Sequence, residues 1–96
     1  MRDYELLCLM PPDVDEERTE AVLNRIRGAL ESTQGVIENV DHWGKRRLAY
    51  EIKGHRDGVY MLVKFKAAPQ GIKELERVLG LTGDVMRHVV VRLDED

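Results

Sequence analysis

Residues 43–53 read Trp43-Gly44-Lys45-Arg46-Arg47-Leu48-Ala49-Tyr50-Glu51-Ile52-Lys53. This segment sets three consecutive cations between two aromatic residues and then returns to alternating apolar and polar side chains. A buried strand would not carry three adjacent cations, and a disordered basic tail would not carry so many apolar residues. We therefore predict a long strand with an exposed flank. Its aromatics would anchor a partner, and its arginines offer planar forks for phosphate or carboxylate groups.

A structural explanation of the same segment stays open. Cations on the outermost strand of a sheet also keep its unpaired backbone from pairing with another molecule. The segment alone does not distinguish this protective role from binding.

The same segment forms the first half of a predicted hairpin. Its strand is expected to begin at Gly35 and to end at about Lys53, with Gly44 marking a bulge or a kink. Residues 54–58 would then form a short hairpin loop. A third strand follows the loop, and one parity of it consists of Val59, Met61, Val63 and Phe65.

An earlier strand is predicted over Arg2 to Met10. Both faces of this strand become apolar toward its end, which is typical of a central strand. One face holds Tyr4, Leu6, Cys8 and Met10, and the other holds Leu7 and Leu9. The strand must end at Pro11 and Pro12, because neither residue can donate a backbone hydrogen bond.

Two helices are predicted from apolar residues at helical spacing. The first is expected over about residues 14–33, with Asp13 as its N-cap and Gly35 as a left-handed cap at its end. The second begins at Pro69, since proline is favoured in the first turn of a helix. It is expected to end within residues 80–83, which contain two glycines.

The order of elements decides the predicted fold class. Strand, helix, strand, strand, helix, strand predicts an α+β chain with the ferredoxin-like βαββαβ arrangement, in which both helices cover one face of a four-stranded antiparallel sheet. The last strand covers about residues 85–93, and its register is ambiguous because residues 89–91 are all valine. We expect a single domain over residues 1–96, with a short acidic tail at 94–96.

The open face of the sheet, which is the face without helices, is a candidate partner surface. The first and third strands are central in this arrangement. Their alternate residues that point away from the helices are Leu7, Leu9, Tyr60 and Leu62. A partly apolar face that no helix covers fits a protein partner. We assign Trp43 and Tyr50 to the same partner surface.

Charge is distributed unevenly along the chain. The net charge is −3, which does not indicate a nucleic-acid binder. Residues 42–66, however, hold seven cations and two anions, so this window carries +5 and the remainder −8. The part of the surface formed by this basic window can therefore face a polyphosphate. The alternative is a chance fluctuation in surface charge.

Composition excludes several other classes of function. Hydrophobic residues make up 43% of the chain and charged residues 34%, as in globular proteins. Cys8 lies in an apolar run and is expected to be a buried, inert thiol. His42, His55 and His88 lack the spacing of metal ligands, so we expect no metal site and no cofactor. No apolar run is long enough to span a bilayer and no signal peptide is evident, so we expect a cytoplasmic protein.

Several motifs occur together at fixed distances. They are Met1-Arg2 with Tyr4-Glu5, the run from Trp43 to Tyr50 with Ile52, Gly58 with Tyr60, Glu74-Leu75-Glu76-Arg77 with Leu79, and Asp84-Val85 with Arg87. Over essentially its full length, the chain resembles the family of protein six of the bacterial small ribosomal subunit. One departure is Glu51, because many relatives have proline after the Ala-Tyr pair.

The resemblance implies the ferredoxin-like fold and a non-catalytic, ribosomal role. Family members bind the central domain of small-subunit ribosomal RNA together with ribosomal protein eighteen of the same subunit. On this basis no small-molecule substrate and no membrane are expected. The residues assigned to RNA or partner binding are Arg2, Lys45, Arg46, Arg47, Lys53, Arg56 and Arg87.

Three other functions are compatible with the same fold class. An acyl-phosphate hydrolase needs a phosphate-cradling loop, but Pro11 and Pro12 remove two amides from the loop after the first strand. A single-strand RNA-binding module stacks bases on two or three aromatics of the open face, and the predicted register places only Tyr60 there. A metabolite-sensing regulatory domain of the same topology stays open.

Overall fold

Six elements make up the chain in the computed structural model, which describes residues 1–93. They are β1 (Arg2–Met10), α1 (Glu16–Glu31), β2 (Val36–Ile52), β3 (His55–Ala67), α2 (Pro69–Leu81) and β4 (Arg87–Arg92). The strands form one antiparallel sheet in the order β2-β3-β1-β4, so β1 and β3 are central and β2 is an edge. The predicted ferredoxin-like fold is confirmed. The predicted acidic tail at 94–96 lies outside the described residues.

The core lies between the two helices and one face of the sheet. The two central strands contribute the alternate residues that were predicted to face the helices. The ring of Tyr4 stacks on that of Phe65 at 5.5 Å between centroids. Side chains with no exposed area include Leu6, Cys8, Met10, Ile26, Leu30, Met61, Val63, Phe65 and Leu75. Burial raises the pKa of the Cys8 thiol to about 12, so this cysteine is the inert thiol predicted from the sequence.

β4 has a single register that the sequence did not reveal. Val90 packs against the core, whereas Val89 and Val91 point to the other face and are 44% and 49% exposed. Val89 pairs with Leu7 of β1, which fixes this assignment. The open face is therefore more apolar than predicted.

The ends of α1 differ from the prediction. Its N-cap is Asp15, whose carboxylate accepts a hydrogen bond from the backbone N–H of Arg18 at 2.8 Å. Asp13 lies too early for this role and instead reaches the Arg18 side chain at 3.4 Å. At the other end, Gln34 takes the left-handed conformation with φ of 66°, and not Gly35. Gly35 is required for space, because a Cβ there would lie 3.0 Å from the carbonyl oxygen of Lys66.

α2 ends within the predicted range, but a different residue closes it. It runs from the predicted Pro69 to Leu81, so Gly80 lies inside the helix. The last turn is closed by the hydroxyl of Thr82, which donates to the carbonyl oxygen of Val78 at 2.7 Å. The sequence predicted that glycines end this helix, whereas a side-chain hydrogen bond from Thr82 closes its last turn.

The hairpin loop predicted over residues 54–58 is wrong. The turn consists of Lys53 and Gly54, with φ of 48° and 83°, and β3 begins at His55. Two successive positive φ values match the twist of a two-residue hairpin, so no longer loop is needed. Gly58 belongs to β3, where its missing side chain makes room for Leu9, whose Cδ1 would lie 2.4 Å from an added Cβ.

β2 contains two irregularities that shape the functional surface. Gly44 has φ of 78° at a register shift between residues 42 and 44, which confirms the predicted bulge. Further along, Arg47 pairs with Asp57 and Ile52 pairs with His55. Four residues of β2, 48–51, therefore stand opposite the single residue 56 of β3.

Candidate nucleic-acid and protein interface

The end of the β2–β3 hairpin projects beyond the rest of the sheet. β1 ends at Met10 opposite Val59, and β2 and β3 continue past this point as a two-stranded arm of residues 46–58. The arm carries Arg46, Arg47, Lys53 and Arg56, all exposed, and the exposed Lys45 lies at its base. Five predicted cations are thus gathered at one end of the sheet.

The bulge at Gly44 determines which arginine shares a face with Trp43. In a regular strand Arg47 would do so, because side chains alternate with a period of two. The extra residue of the bulge shifts this alternation, so Arg46 shares the face of Trp43 instead of Arg47. Its guanidinium carbon lies 6.0 Å from the centre of the Trp43 ring, which lies 6.2 Å from the ring of Tyr60. Cation and aromatics thus adjoin on the open face, where such pairs attract.

Two of the other cations, Lys45 at the base of the arm and Arg47, have no ion-pair partner within residues 1–93. Arg47 lies opposite Asp57 in register, on the other side of β2 from Arg46. The charges of Lys45 and Arg47 are therefore available to an anionic ligand.

The arm bends back over the open face and forms an apolar groove there. The groove has a volume of about 220 Å³. Its lining residues are Leu7, Leu9, Leu48, Ala49, Tyr50, Ile52, Tyr60, Arg87, His88 and Val89. Arg87 fastens the arm to β4, because its Nη1 donates a hydrogen bond to the Tyr50 hydroxyl.

Leu9 is more buried than predicted. It lies on the open face, outside the helix–sheet core, yet is only 3% exposed. Leu48 of the arm is 8% exposed and lines the same groove, so the chain itself covers this part of the face. Leu9 therefore lies on the predicted face of the sheet, but the arm covers it, and its contact with a partner stays a prediction. Leu7, Tyr60 and Leu62 are partly exposed, as expected.

Further apolar residues extend the open face. Trp43 is 39% exposed and Tyr50 is 60% exposed, and Val89 and Val91 expose further apolar surface on β4, at the other edge of the sheet from Trp43. The sequence assigned neither valine to this surface, because three adjacent valines carry no parity signal. Leu48 and Ile52 were also missed, although their alternation with Tyr50 was a usable signal.

Two predicted cations lie outside the arm. Arg87 pairs in register with Leu9, so it is at the same end of the sheet as the arm. Arg2 pairs with Ala67 at the other end, seven residues along β1 from Leu9 and so roughly 23 Å away. The structure does not bring Arg2 to the candidate site.

Acidic side chains cluster on the helix side of the sheet, near the start of α1. A cleft of about 760 Å³ lies between the start of α1 and the bulge of β2. Its lining includes His42 and the carboxylates of Asp15, Glu16, Glu17 and Glu20. Within residues 1–93, no three His, Cys, Asp or Glu side chains cluster as a metal site would require. No helix in that range is both long and apolar enough to cross a membrane.

Comparison with solved structures supports the fold and the family together. The crystal structure of 30S ribosomal protein S6 from Thermotoga maritima has a TM-score of 0.87 and 32% identity, covering 96% of this chain and 87% of that one. The C-terminal domain of MgtC from Mycobacterium tuberculosis has a TM-score of 0.63 at 10% identity, covering 97% of this chain and 88% of that one. The second likeness shows the fold alone.

Sequence comparison extends over nearly the whole chain. Small ribosomal subunit protein bS6 of Clostridium novyi is 48% identical over 91 residues, covering 95% of this chain and 96% of that protein. The bS6 protein of Carboxydothermus hydrogenoformans is 42% identical over 95 residues, covering 99% of both chains. The sequence profile described as ribosomal protein S6 matches residues 3–92. This chain therefore belongs to the ribosomal protein S6 family of the bacterial small ribosomal subunit.

Proposed function

We propose that this chain binds the central domain of small-subunit ribosomal RNA together with ribosomal protein eighteen of the same subunit. As a member of a family of bacterial ribosomal proteins, it works in the cytoplasmic ribosome. Its role is structural and not catalytic: it holds a protein on the open face and RNA along the arm.

The observation that carries this proposal is the contact between two surfaces of different chemistry. The apolar groove and its neighbours Val89 and Val91 suit a protein partner, because exposed apolar surface is stabilised by burial. The arm beside them carries cations suited to phosphates. Tyr50 belongs to both surfaces, since it lies in the arm and lines the groove. One chain can thus contact protein and RNA at a shared boundary.

The partner-binding part is tested by placing a charge on the open face. Val89→Asp puts a carboxylate beside the groove, where a bound apolar partner would have to desolvate it. We expect this variant to bind purified ribosomal protein eighteen about tenfold more weakly or worse. Leu81→Asp is the matched control, because Leu81 is a 69% exposed apolar residue at the end of α2. Equal affinity of the folded Val89→Asp variant and the control would contradict the proposal.

A second candidate function is favoured by one observation. Trp43 and Tyr50 lie on the open face with Tyr60, so the expectation that Tyr60 is the only aromatic there is wrong. Three aromatics on an open face could stack single-stranded bases. Titration of the free chain with a single-stranded RNA oligonucleotide tests this alternative. Tight binding without the protein partner would favour it over the proposed assembly role.

A further inference from the structure

A second, polar concavity lies in the arm, distinct from the apolar groove. It forms where residues 48–51 stand opposite residue 56, and it has a volume of about 210 Å³. Its lining residues are Arg47, Leu48, Ala49, Tyr50, Glu51 and Arg56. The space is several times the roughly 30 Å³ that one water molecule occupies in the liquid, so it can admit a tetrahedral anion.

Two arginines line the concavity. Arg47 precedes the irregular segment on β2, and Arg56 faces it from β3. Both side chains are exposed, so a ligand can reach them. Guanidinium groups present paired N–H donors that match the oxygen atoms of a phosphate. Two arginines in the lining of one concavity favour a phosphate over a neutral ligand.

Contacts to the sheet hold this segment in its irregular shape. Leu48 is 8% exposed because it turns toward the apolar groove. Two residues on, the Tyr50 hydroxyl accepts the hydrogen bond from Arg87 of β4. The concavity between Arg47 and Arg56 is therefore formed before any ligand arrives, which lowers the cost of binding.

Glu51 places a carboxylate inside the same concavity. Its Oε2 lies 3.9 Å from Nε of Arg56, which is too long for a hydrogen bond. The two side chains are 58% and 77% exposed, and an ion pair of this kind is weak. An incoming anion can therefore replace Glu51 as the partner of Arg56.

We propose that this concavity is a binding subsite for a phosphate of the RNA backbone, and that Glu51 occupies Arg56 in the free protein and is displaced on binding. The inference rests on the proposed function, since it assigns RNA phosphate as the ligand of the arm. Glu51 then weakens the binding of phosphate in two ways: it must release Arg56, and its negative charge repels the phosphate. The resident carboxylate thereby limits the affinity of the free chain for anions.

The test is a double-mutant cycle read with two probes. The first probe is inorganic phosphate, followed by NMR at the side-chain Nε–H groups of Arg47 and Arg56. The second is the affinity of the chain for a central-domain RNA fragment in the presence of ribosomal protein eighteen. Glu51→Gln should raise affinity about two- to fivefold in both measurements, the range expected for an exposed charge pair. Glu51→Gln placed on Arg56→Ala should give much less gain, because the competed partner is gone.

Glu38→Gln is the matched control, because Glu38 is an exposed carboxylate on β2 outside the arm and its substitution changes the net charge equally. Equal effects of Glu51→Gln and Glu38→Gln on both probes would overturn the inference. A gain for inorganic phosphate without a gain for RNA would overturn the assignment to RNA. A gain for the protein partner in the absence of RNA would also overturn it, since the ligand would then be a carboxylate of that protein.

The same data separate this inference from the proposed function. If the wild-type complex with protein and RNA forms and the cycle shows no coupling, only the subsite is wrong. If no complex with RNA forms at all, the proposed function fails and the RNA assignment fails with it.

Discussion

Arg46 and Arg47 are adjacent in sequence but project from opposite sides of β2. Arg46 lies beside Trp43 on the open face, and Arg47 lines the polar concavity of the arm. Neither side chain supports the core, because both are exposed. We therefore expect Arg46→Ala with Arg47→Ala to leave the free energy of unfolding nearly unchanged. The affinity of the complex with RNA and ribosomal protein eighteen should fall about tenfold or more. Denaturant unfolding beside affinity measurement checks both parts.

The matched control for this pair removes two cations from the helix side. Arg25→Ala with Lys73→Ala makes the same change in net charge at exposed positions of α1 and α2. This control should weaken the complex much less. Unchanged affinity with lowered solubility of the Arg46 and Arg47 variant would leave only the protective role of an edge strand.

Single apolar residues on the two faces of the sheet should differ in their contribution to stability. Leu6 and Met61 have no exposed area, and truncation of such side chains to alanine costs about 2–5 kcal/mol. Leu7 and Leu62 are partly exposed on the open face, so their alanine variants should cost clearly less. Urea unfolding of the four variants tests this order. Equal losses on both faces would show that the open face is part of the folded core.

Leu9 is the exception among the open-face residues. The arm covers it, so Leu9→Ala should cost nearly as much as a core truncation. The same unfolding experiment measures this cost. A loss as small as that of Leu7→Ala would mean that the arm does not stay over the groove in solution.

At the scale of elements, the bulge of β2 depends on one backbone conformation. Gly44 has φ of 78° and open space around it, so the cost of Gly44→Ala comes from the left-handed conformation alone, at about 1–2 kcal/mol. Gly28→Ala is the control, because Gly28 also has open space but lies inside α1. That variant should be stabilised by about 0.5–1 kcal/mol. Thermal unfolding of both variants should therefore move Tm in opposite directions, and shifts of the same sign would contradict this account.

The link between α1 and the loop before β4 should depend on pH. Arg18 of α1 contacts Asp84 through two hydrogen bonds, of 2.6 and 3.2 Å, which hold the pKa of the Asp84 carboxyl below its ordinary value of 3.8. The resulting stabilisation is fully present above the ordinary pKa and is lost as the pH falls through the lower, folded-state pKa. The advantage of wild type over Asp84→Asn should therefore persist at pH 5 and vanish in stronger acid.

The control for this pH dependence uses the other carboxylate near the same arginine. Asp13 lies 3.4 Å from Arg18 and its side chain is 76% exposed. Asp13→Asn should therefore alter the stability profile less than Asp84→Asn. An advantage of wild type over Asp84→Asn that did not change with pH would contradict the assigned cause.

For the whole molecule, the sequence predicted what depends on periodicity and missed what depends on bending. The parities of β1 and β3 followed from alternation, so the helix-facing core and the strand order could be predicted. The bend of the arm depends on the irregular register of residues 48–51, which no local pattern reveals. As a result, the burial of Leu9 and the contact between Tyr50 and Arg87 were not foreseen.

The overall charge of the chain opposes the binding of RNA by the chain alone. Net charge is −3, and the carboxylates near the start of α1 oppose the cations of the arm. A small basic surface supplies a limited, salt-sensitive attraction to RNA. We therefore expect weak binding of RNA by the free chain, because it lacks the contacts that a bound protein would add.

The most direct test of the proposed assembly role is the affinity of the chain for central-domain ribosomal RNA, measured at physiological salt with and without ribosomal protein eighteen. We predict weak binding by the chain alone and binding at least tenfold tighter when the partner is present. Tight, specific binding by the chain alone, with no gain from the partner, would contradict it.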